Sequence, residues 1–229
     1  MGAAARQGAA VLDMGDPDKL RREPSSDQRM VLAEVADLIA VRHWDPSFAR
    51  ELASINKCAV VNAGSGSKSH PTQALIDAYT LMKVLDGEIA GLTVLFLGDV
   101  LLRSQESFRE LTAHLGMVVS HCPVSGEDAS ERHSGIEDQI LAADVVYIQS
   151  LSSTDYSRPH LNVHPDGPAL PPRVVDSIAR SRGLIMHALP RGPELPDSLM
   201  HDPRCLVTQQ VECGLTVRSA VLRWLLAAA

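Results

Sequence analysis

Aromatic side chains are scarce in this sequence of 229 residues: they make up only 3%, whereas hydrophobic residues in total make up 45%. The core must therefore be built mainly from Leu, Val, Ile and Ala. Basic residues do not outnumber acidic ones, since 21 Lys and Arg face 28 Asp and Glu, for a formal charge of −7. A net negative chain without a basic run argues against a nucleic-acid surface. We expect no nucleic-acid partner.

Paired cysteines and long apolar runs are absent as well. The chain has no Cys-x-x-Cys spacing, which is typical of a protein with reduced thiols in the cytosol. The spacing of His121, Cys122 and His133 fits no zinc pattern, so we expect no metal. No apolar run approaches the roughly 20 residues of a membrane span, and acidic residues interrupt the Ala-rich N-terminal stretch before it reaches signal-peptide length. We therefore expect a soluble, cytoplasmic protein without a membrane partner.

Short β-branched runs alternate with longer segments of helical period. The runs predicted as buried parallel strands are 38–43, 58–64, 93–99, 117–122, 144–150 and 183–189. The segments predicted as helices are 25–36, 47–54, 70–85, 104–116, 135–143 and 171–181. This alternation predicts an α/β protein with wound parallel sheets.

Two polar stretches interrupt the alternation. "DGEIAG" (86–91) separates two strand–helix series, and we interpret it as a domain boundary. The stretch 152–172 is rich in Pro, Asp and Ser, which predicts a long loop. A binding loop and a solvated connector are both compatible with that composition.

The segment "NAGSGSKSHPTQ" (62–73) is the first candidate site. It follows a predicted strand and leads through a Gly-rich turn into a helix, whose N-terminus offers free N–H groups and the positive end of the dipole. Pro71 suits the first helical turn. His70 would donate to a carbonyl oxygen and Gln73 would accept from an amide, at the strand edge where Arg42 also ends a strand. The alternatives are a helix-capping or otherwise satisfied histidine at position 70 and a surface ion pair for Arg42.

No Gly-x-Gly-x-x-Gly or phosphate-loop motif is present. Instead, "NAGSGSKSHPTQALIDAYT" resembles the carbamoyl-phosphate signature of the aspartate and ornithine carbamoyltransferase family, and of its aspartate branch in particular. The resemblance continues in the family's order through "ADLIAVRH", "GLTVLFLGD", "AADVVYIQS", "MHALPRGPELP" and "QQVECGLTVRSAVLRWLL". It implies two wound parallel-sheet domains. The first comprises 1–85 together with a C-terminal helix, 213–228, that crosses back beside the His70 helix, and the second comprises 86–211.

The resemblance also implies a site. His70 and Arg42 would contact the carbonyl oxygen of carbamoyl phosphate as catalytic residues, and Gln73 would contact its amide. The backbone of Ala188 and Leu189 would hold the carbamoyl nitrogen. Ala188 stands where the family has Pro, a mild departure because the backbone makes the contact.

Further substrate-binding candidates are Thr72 and Arg103. Arg103 matches a family arginine with a shift of one residue. After "VVYIQ" the chain has "SLSS", where the aspartate branch has an Arg-Val-Gln clamp for the amino acid's carboxylate. Ser150 and Ser152 cannot replace a bidentate guanidinium.

The family's phosphate loop, Ser-x-Arg-Thr-Arg, has no counterpart in the sequence. We therefore expect the first domain to lack its N-terminal strand, loop and helix. Since each charge-assisted donor contributes roughly 1.5–3 kcal/mol, we expect the chain alone to be a poor aspartate carbamoyltransferase.

The resemblance implies a small-molecule substrate with a carbamoyl or amide group, no cofactor, and a homotrimer or an assembly with a homologous chain. Lys19, Ser25 and Ser26 are the candidates for a loop that reaches a neighbouring subunit. Three hypotheses stay open. The chain is a divergent or repurposed transferase that uses His70, Arg42 and Gln73 to polarise a carbonyl group, or it is a non-catalytic binding or assembly subunit, or its start site is placed too far downstream.

Overall fold

The computed structural model describes residues 1–13, 25–66, 68–98, 103–124, 135–149, 151 and 168–228. Within them the strands are β1 (Leu38–His43), β2 (Ala59–Ser65), β3 (Thr93–Leu97), β4 (Val118–Cys122), β5 (Val145–Ile148) and β6 (Leu184–His187). The helices are α1 (Gly2–Arg6), α2 (Ser25–Val35), α3 (Phe48–Ser54), α4 (Pro71–Val84), α5 (Arg103–His114), α6 (Ile136–Ala142), α7 (Pro172–Arg180), α8 (Asp197–Met200) and α9 (Val207–Ala228). All six predicted strands and all seven predicted helices are confirmed, and α1 and α8 are additional.

The strands form two parallel sheets. A first sheet pairs β1 with β2, and a second sheet has the order β4-β3-β5-β6. This confirms the predicted α/β class with parallel sheets. All four residues of β5 are buried, which fits the apolar run expected of a parallel strand covered on both faces.

The core of the second sheet has two sides, because successive strand residues point to opposite faces. Leu95, Val146 and Ile185 face a cluster that includes Ile140 of α6 and Ile178 of α7. The opposite cluster joins side chains of β3, β5 and β6 to α4 and α5, namely Val94, Phe96, Val145, Tyr147, Met186, Ala74, Ala78, Leu81 and Phe108. Helix α4 therefore packs directly on the second sheet.

Helix α9 crosses back onto α4, as predicted. Ile76 of α4 is buried with Cys213 and Val217 of α9, and Val221 packs against them. At the other side of α9, Arg223 Nε donates to Gln7 Oε1 over 2.5 Å. The helix begins at Val207 rather than at the predicted residue 213, because Val207 and Gln210 of its first turn already face the interior. The boundary at 86–91 is an irregular turn with positive φ at Asp86 and Gly87; the domain division itself stays a prediction.

Candidate functional site

The turn between β2 and α4 is held by its own hydrogen bonds. Asn62 Oδ1 accepts from the Gly64 N–H at 2.8 Å and from Ser65 Oγ at 2.9 Å. The Gly66 N–H donates to the His43 carbonyl at 2.8 Å. Gly66 has φ +49, and a Cβ there would lie 2.5 Å from the Trp44 carbonyl oxygen, so only glycine fits without a shift. These bonds tie the end of β2 to the end of β1, just before the chain leads into α4.

His70 stands at the N-terminus of α4, before Pro71. Its backbone N–H donates to Ser107 Oγ of α5 at 2.9 Å, which brings the starts of α4 and α5 together. Its ring makes no capping hydrogen bond to the helix backbone; Nδ1 lies 3.3 Å from Thr72 Oγ1. The capping alternative is therefore wrong. The Thr72 hydroxyl, itself buried, lies against the His70 ring.

His70 is held in its neutral form. Burial is the main cause, and the positive charges of Arg103, Arg42 and Arg218 add to it, so that the pKa of His70 falls from 6.5 to about 4. A neutral imidazole has one N–H to donate and one acceptor nitrogen. At neutral pH the ring therefore has one N–H that can donate, and it lies near three arginines.

The guanidinium of Arg103 and the aliphatic stem of Arg42 both lie against Gly64. A Cβ on Gly64 would lie 3.4 Å from Arg103 Nη1 and 3.6 Å from Arg42 Cγ. Arg103 is only 7% exposed, and its Nη1 donates to the Gly66 carbonyl at 3.0 Å. Arg42 is exposed and forms no ion pair with a carboxylate of the described residues, which disfavours the surface ion-pair alternative. The one-residue shift of Arg103 has not removed it from the candidate site.

Gln73 takes part in a buried network around Asp77, one helical turn further along α4. Asp77 Oδ1 accepts from Gln73 Nε2 at 2.8 Å and from Gln210 Nε2 at 2.7 Å, while Oδ2 accepts from the Tyr147 hydroxyl at 2.8 Å. Because Gln73 gives its nitrogen to Asp77, its amide orientation is set by this bond. Its Oε1 is then the group left for a ligand.

Asp77 is fully buried. Burial raises its pKa from 3.8 to about 6, against the lowering effect of the hydrogen bonds from Gln210, Tyr147 and Gln73. The pKa of the Tyr147 hydroxyl is raised well above its usual value, by burial first and then by the negative charge of Asp77. At neutral pH Asp77 is thus an ionised acceptor and Tyr147 a neutral donor.

Ala188 and Leu189 follow β6 and connect to the same network. The His187 N–H donates to Gln210 Oε1 at 3.2 Å, so Gln210 joins β6 to Asp77. On the other face His187 Nε2 lies 3.0 Å from Glu194 Oε1. Although burial acts to raise the pKa of Glu194, hydrogen bonds from His187 and the Gly192 N–H hold it below its usual value. The segment that precedes Ala188 is therefore fixed on both sides.

The structure thus brings together His70, Arg42 and Arg103, and it links Gln73 to the strand that ends before Ala188. Of the candidates for an intersubunit loop, Lys19 and the Ser25 side chain lie outside the described residues, and Ser26 is exposed, with its Oγ donating to Asp27 Oδ1. Ser150 and Ser152 also lie outside the described residues. Asp77, Tyr147 and Gln210 were missed from sequence. The available signal was an Asp four residues after Gln73, within the apolar stripe of α4.

Two family models match the chain. The model described as "Aspartate/ornithine carbamoyltransferase, carbamoyl-P binding domain" matches residues 1–83, and the "Asp/Orn binding domain" model of the same family matches residues 90–225. The chain belongs to the aspartate/ornithine carbamoyltransferase family. Within this family, His70 and Gln73 lie in the first matched region, and Arg103, Tyr147, Ala188 and Gln210 in the second.

Relatives in the carbamoyltransferase family align over most of the chain. The aspartate carbamoyltransferase catalytic subunit of Agrobacterium fabrum is 33% identical over 240 residues, which cover 98% of this chain and 76% of that protein. The corresponding subunit of Sulfurovum sp. is 29% identical over 234 residues, covering 98% of this chain and 79% of that protein. A crystal structure of aspartate transcarbamoylase from Trypanosoma cruzi, in complex with N-(phosphonacetyl)-L-aspartic acid, has a TM-score of 0.74 at 21% identity and covers 96% of this chain and 75% of that one. The last comparison supports the shared fold.

No helix in the described part of the chain combines the length and the apolar character that a membrane span requires.

Proposed function

We propose that this chain transfers a carbamoyl group from carbamoyl phosphate to the amino group of a small substrate. The observation that carries the proposal is the meeting of Arg42 and Arg103 at Gly64, beside a histidine that is held neutral. Two cations favour a phosphate-bearing ligand, and a neutral imidazole N–H favours a carbonyl oxygen. Carbamoyl phosphate presents both groups on one small molecule.

The reaction would proceed by addition and elimination at the carbamoyl carbon. The amine lone pair attacks that carbon, and the carbonyl oxygen takes up negative charge that the His70 N–H and the Arg42 guanidinium stabilise. Gln73 Oε1 accepts from the carbamoyl N–H₂, together with the backbone carbonyls at Ala188 and Leu189. The carbon–oxygen bond to phosphate then breaks, phosphate leaves with the electron pair, and the amine proton passes to the departing phosphate. Arg103 would hold the phosphate, and Thr72 would keep the His70 ring in place.

The acceptor amine is a separate question. Residues 150–153 are Ser-Leu-Ser-Ser, which follow Gln149 at the end of β5 in the sequence, and they bring no guanidinium for a carboxylate. We infer that this stretch contributes little to binding aspartate, and that the chain transfers to aspartate slowly or prefers another amine. The alternative function is that of a non-catalytic subunit that assembles with a homologous chain.

The direct test combines calorimetry with carbamoyl phosphate and a ureido-product assay with aspartate and a panel of small amines. We expect binding of carbamoyl phosphate, and at least about a hundredfold loss of transfer rate in His70→Ala, as for the loss of an oxyanion donor. The matched control is His114→Ala, at the exposed end of α5, which should leave both measurements unchanged.

Two results would overturn the proposal. Transfer that is equal in the wild type and His70→Ala would remove His70 from the chemistry. Activity that appears only when a complete aspartate carbamoyltransferase catalytic subunit is added, and that is indifferent to His70→Ala, would support the assembly role instead.

We further propose that the chain forms a homotrimer or joins a homologous chain through its first matched region. Leu75, Tyr79 and Met82 are 41%, 38% and 42% exposed on α4, at spacings of four and three residues, so they form one apolar stripe. Light scattering at micromolar concentration should give a mass above the 24.7 kDa of one chain, and Tyr79→Lys should lower it. A monomer in both proteins would contradict this.

A further inference from the structure

Asp77 is connected by hydrogen bonds to both of the candidate groups that would accept from the carbamoyl N–H₂. It binds Gln73 directly at 2.8 Å, and through Gln210 it reaches the His187 N–H, one residue before Ala188. The two groups that it orients lie on different elements, α4 and the end of β6. A single fully buried carboxylate thus connects groups that belong to the two matched regions.

The direction of each hydrogen bond is fixed by the charge on Asp77. An ionised carboxylate only accepts, so Gln73 and Gln210 must both present their nitrogens to it. Each glutamine then has its oxygen pointing away from Asp77. Gln210 Oε1 takes the His187 N–H, and Gln73 Oε1 is left for a ligand.

We propose that Asp77 is a positioning residue: it sets the amide of Gln73 directly and, through Gln210 and the His187 N–H, the backbone carbonyls at Ala188 and Leu189, so that these groups accept hydrogen bonds from the N–H₂ of the bound carbamoyl group. The inference rests on the proposed function, because it assigns the carbamoyl group to this pocket. Asp77 itself does not touch the substrate. Tyr147 holds the second oxygen of the carboxylate and keeps it from rotating.

The test is a set of variants assayed by calorimetry with carbamoyl phosphate. In Asp77→Asn the amide can turn its Nδ2 toward the Tyr147 hydroxyl, which then accepts, so Oδ1 still receives both glutamine nitrogens but no longer carries a negative charge. We expect carbamoyl phosphate affinity to fall about tenfold, because hydrogen bonds to a neutral amide hold the two glutamines less firmly than hydrogen bonds to a carboxylate. The matched control is Thr80→Val on the same helix, which removes an equally buried hydrogen bond, from Thr80 Oγ1 to the Ile76 carbonyl at 2.7 Å. It should lower the denaturation midpoint and leave the affinity within about twofold.

A double-mutant cycle separates positioning from a general loss of structure. If Asp77 acts through Gln73, then Asp77→Asn should weaken binding much less in a Gln73→Ala background than in the wild type. Losses that simply multiply would overturn the inference. Gln210→Met provides a second arm that keeps the charge on Asp77. It should also weaken binding, and unchanged affinity in both Asp77→Asn and Gln210→Met would overturn the inference as well.

Titration of the wild type with carbamoyl phosphate separates a failure of the proposed function from a failure of the Asp77 inference. If the wild type does not bind carbamoyl phosphate, the proposed function fails and the inference fails with it. If the wild type binds, His70→Ala weakens binding and the Asp77 variants do not, then only the inference fails.

Discussion

Gln149 is a buried side chain whose amide nitrogen and oxygen both have no hydrogen-bond partner within the part of the chain that the structure describes. It is 1% exposed and lies against Gly98, where an added Cβ would come within 2.7 Å of Gln149 Cβ. Its backbone N–H donates to the Leu97 carbonyl, so Gln149 extends β5 at the edge where ligands bind in open α/β sheets. Burial of an unpaired amide costs about 1–3 kcal/mol.

We expect Gln149→Met to stabilise the protein by about 1–3 kcal/mol, because it removes this cost and nearly conserves the volume. The measurement is the urea midpoint at constant m value. Gln105 offers a matched control, since it is equally buried but does have an interaction partner. Gln105→Met should therefore destabilise. Destabilisation by both variants would show that Gln149 is satisfied in solution.

Helices α4 and α9 share a small apolar contact that a pair of residues on α4 can test. Ile76 is 1% exposed and packs on Cys213 and Val217, whereas Val84 is 39% exposed and lies outside the proposed assembly stripe. We expect Ile76→Ala to cost about 2–5 kcal/mol, as for a large-to-small change in a core. Val84→Ala should cost about 0.5 kcal/mol or less. The two unfolding free energies, measured by denaturant titration, check this, and equal costs would contradict the α4–α9 packing.

The strands and the longer helices follow from local patterns in the sequence. The four apolar residues of β5 can be buried only by cover on both faces, and Pro71 marks the first turn of α4. The order β4-β3-β5-β6 depends on contacts between segments far apart in the chain, which periodicity does not record. α1 and α8 have five and four residues, too few to show a period.

The same distinction between local patterns and contacts of distant residues applies to the candidate site. The segment around His70 and Gln73 is contiguous and could be predicted, and Arg42 could be placed near it because it also ends a parallel strand, whereas a role for Arg103 was implied by the family resemblance. The network around Asp77 was not predicted, because an Asp on a helix is usually solvated. Its three donors come from positions 73, 147 and 210, so only the tertiary structure shows them together.

At the scale of the whole molecule, His70 and Asp77 have opposite effects on the pH dependence of stability. The pKa of His70 is lowered in the folded state, from 6.5 to about 4, so the unfolded chain takes up the proton first and stability falls as pH drops through this window. The pKa of Asp77 is raised in the folded state, from 3.8 to about 6, so the folded chain takes up the proton first and stability rises as pH drops through that window. The two contributions oppose each other between about pH 4 and 6.

Single variants should separate these contributions. On acidification from pH 7 to 4.5, the free energy of unfolding of Asp77→Asn should fall by about 1–3 kcal/mol more than that of the wild type, because only the His70 contribution is left. The free energy of unfolding of His70→Asn should fall less than that of the wild type, or rise. Urea denaturation of the three proteins at both pH values checks the signs. The same slope in all three would show that neither group titrates differently in the folded and unfolded chains.

The crossing of α9 onto α4 has a consequence for the order of events during synthesis. Ile76 leaves the ribosome long before its partners Cys213 and Val217 exist, and at about 5–20 residues per second the delay is of the order of ten seconds. During that time the α4 surface around Ile76 is open to water and to other nascent chains. Helix α4 carries His70 at its start, so the pocket takes its final form only after the ribosome has passed the codons of α9. Slow translation over the intervening segment would lengthen the period in which this surface depends on a chaperone.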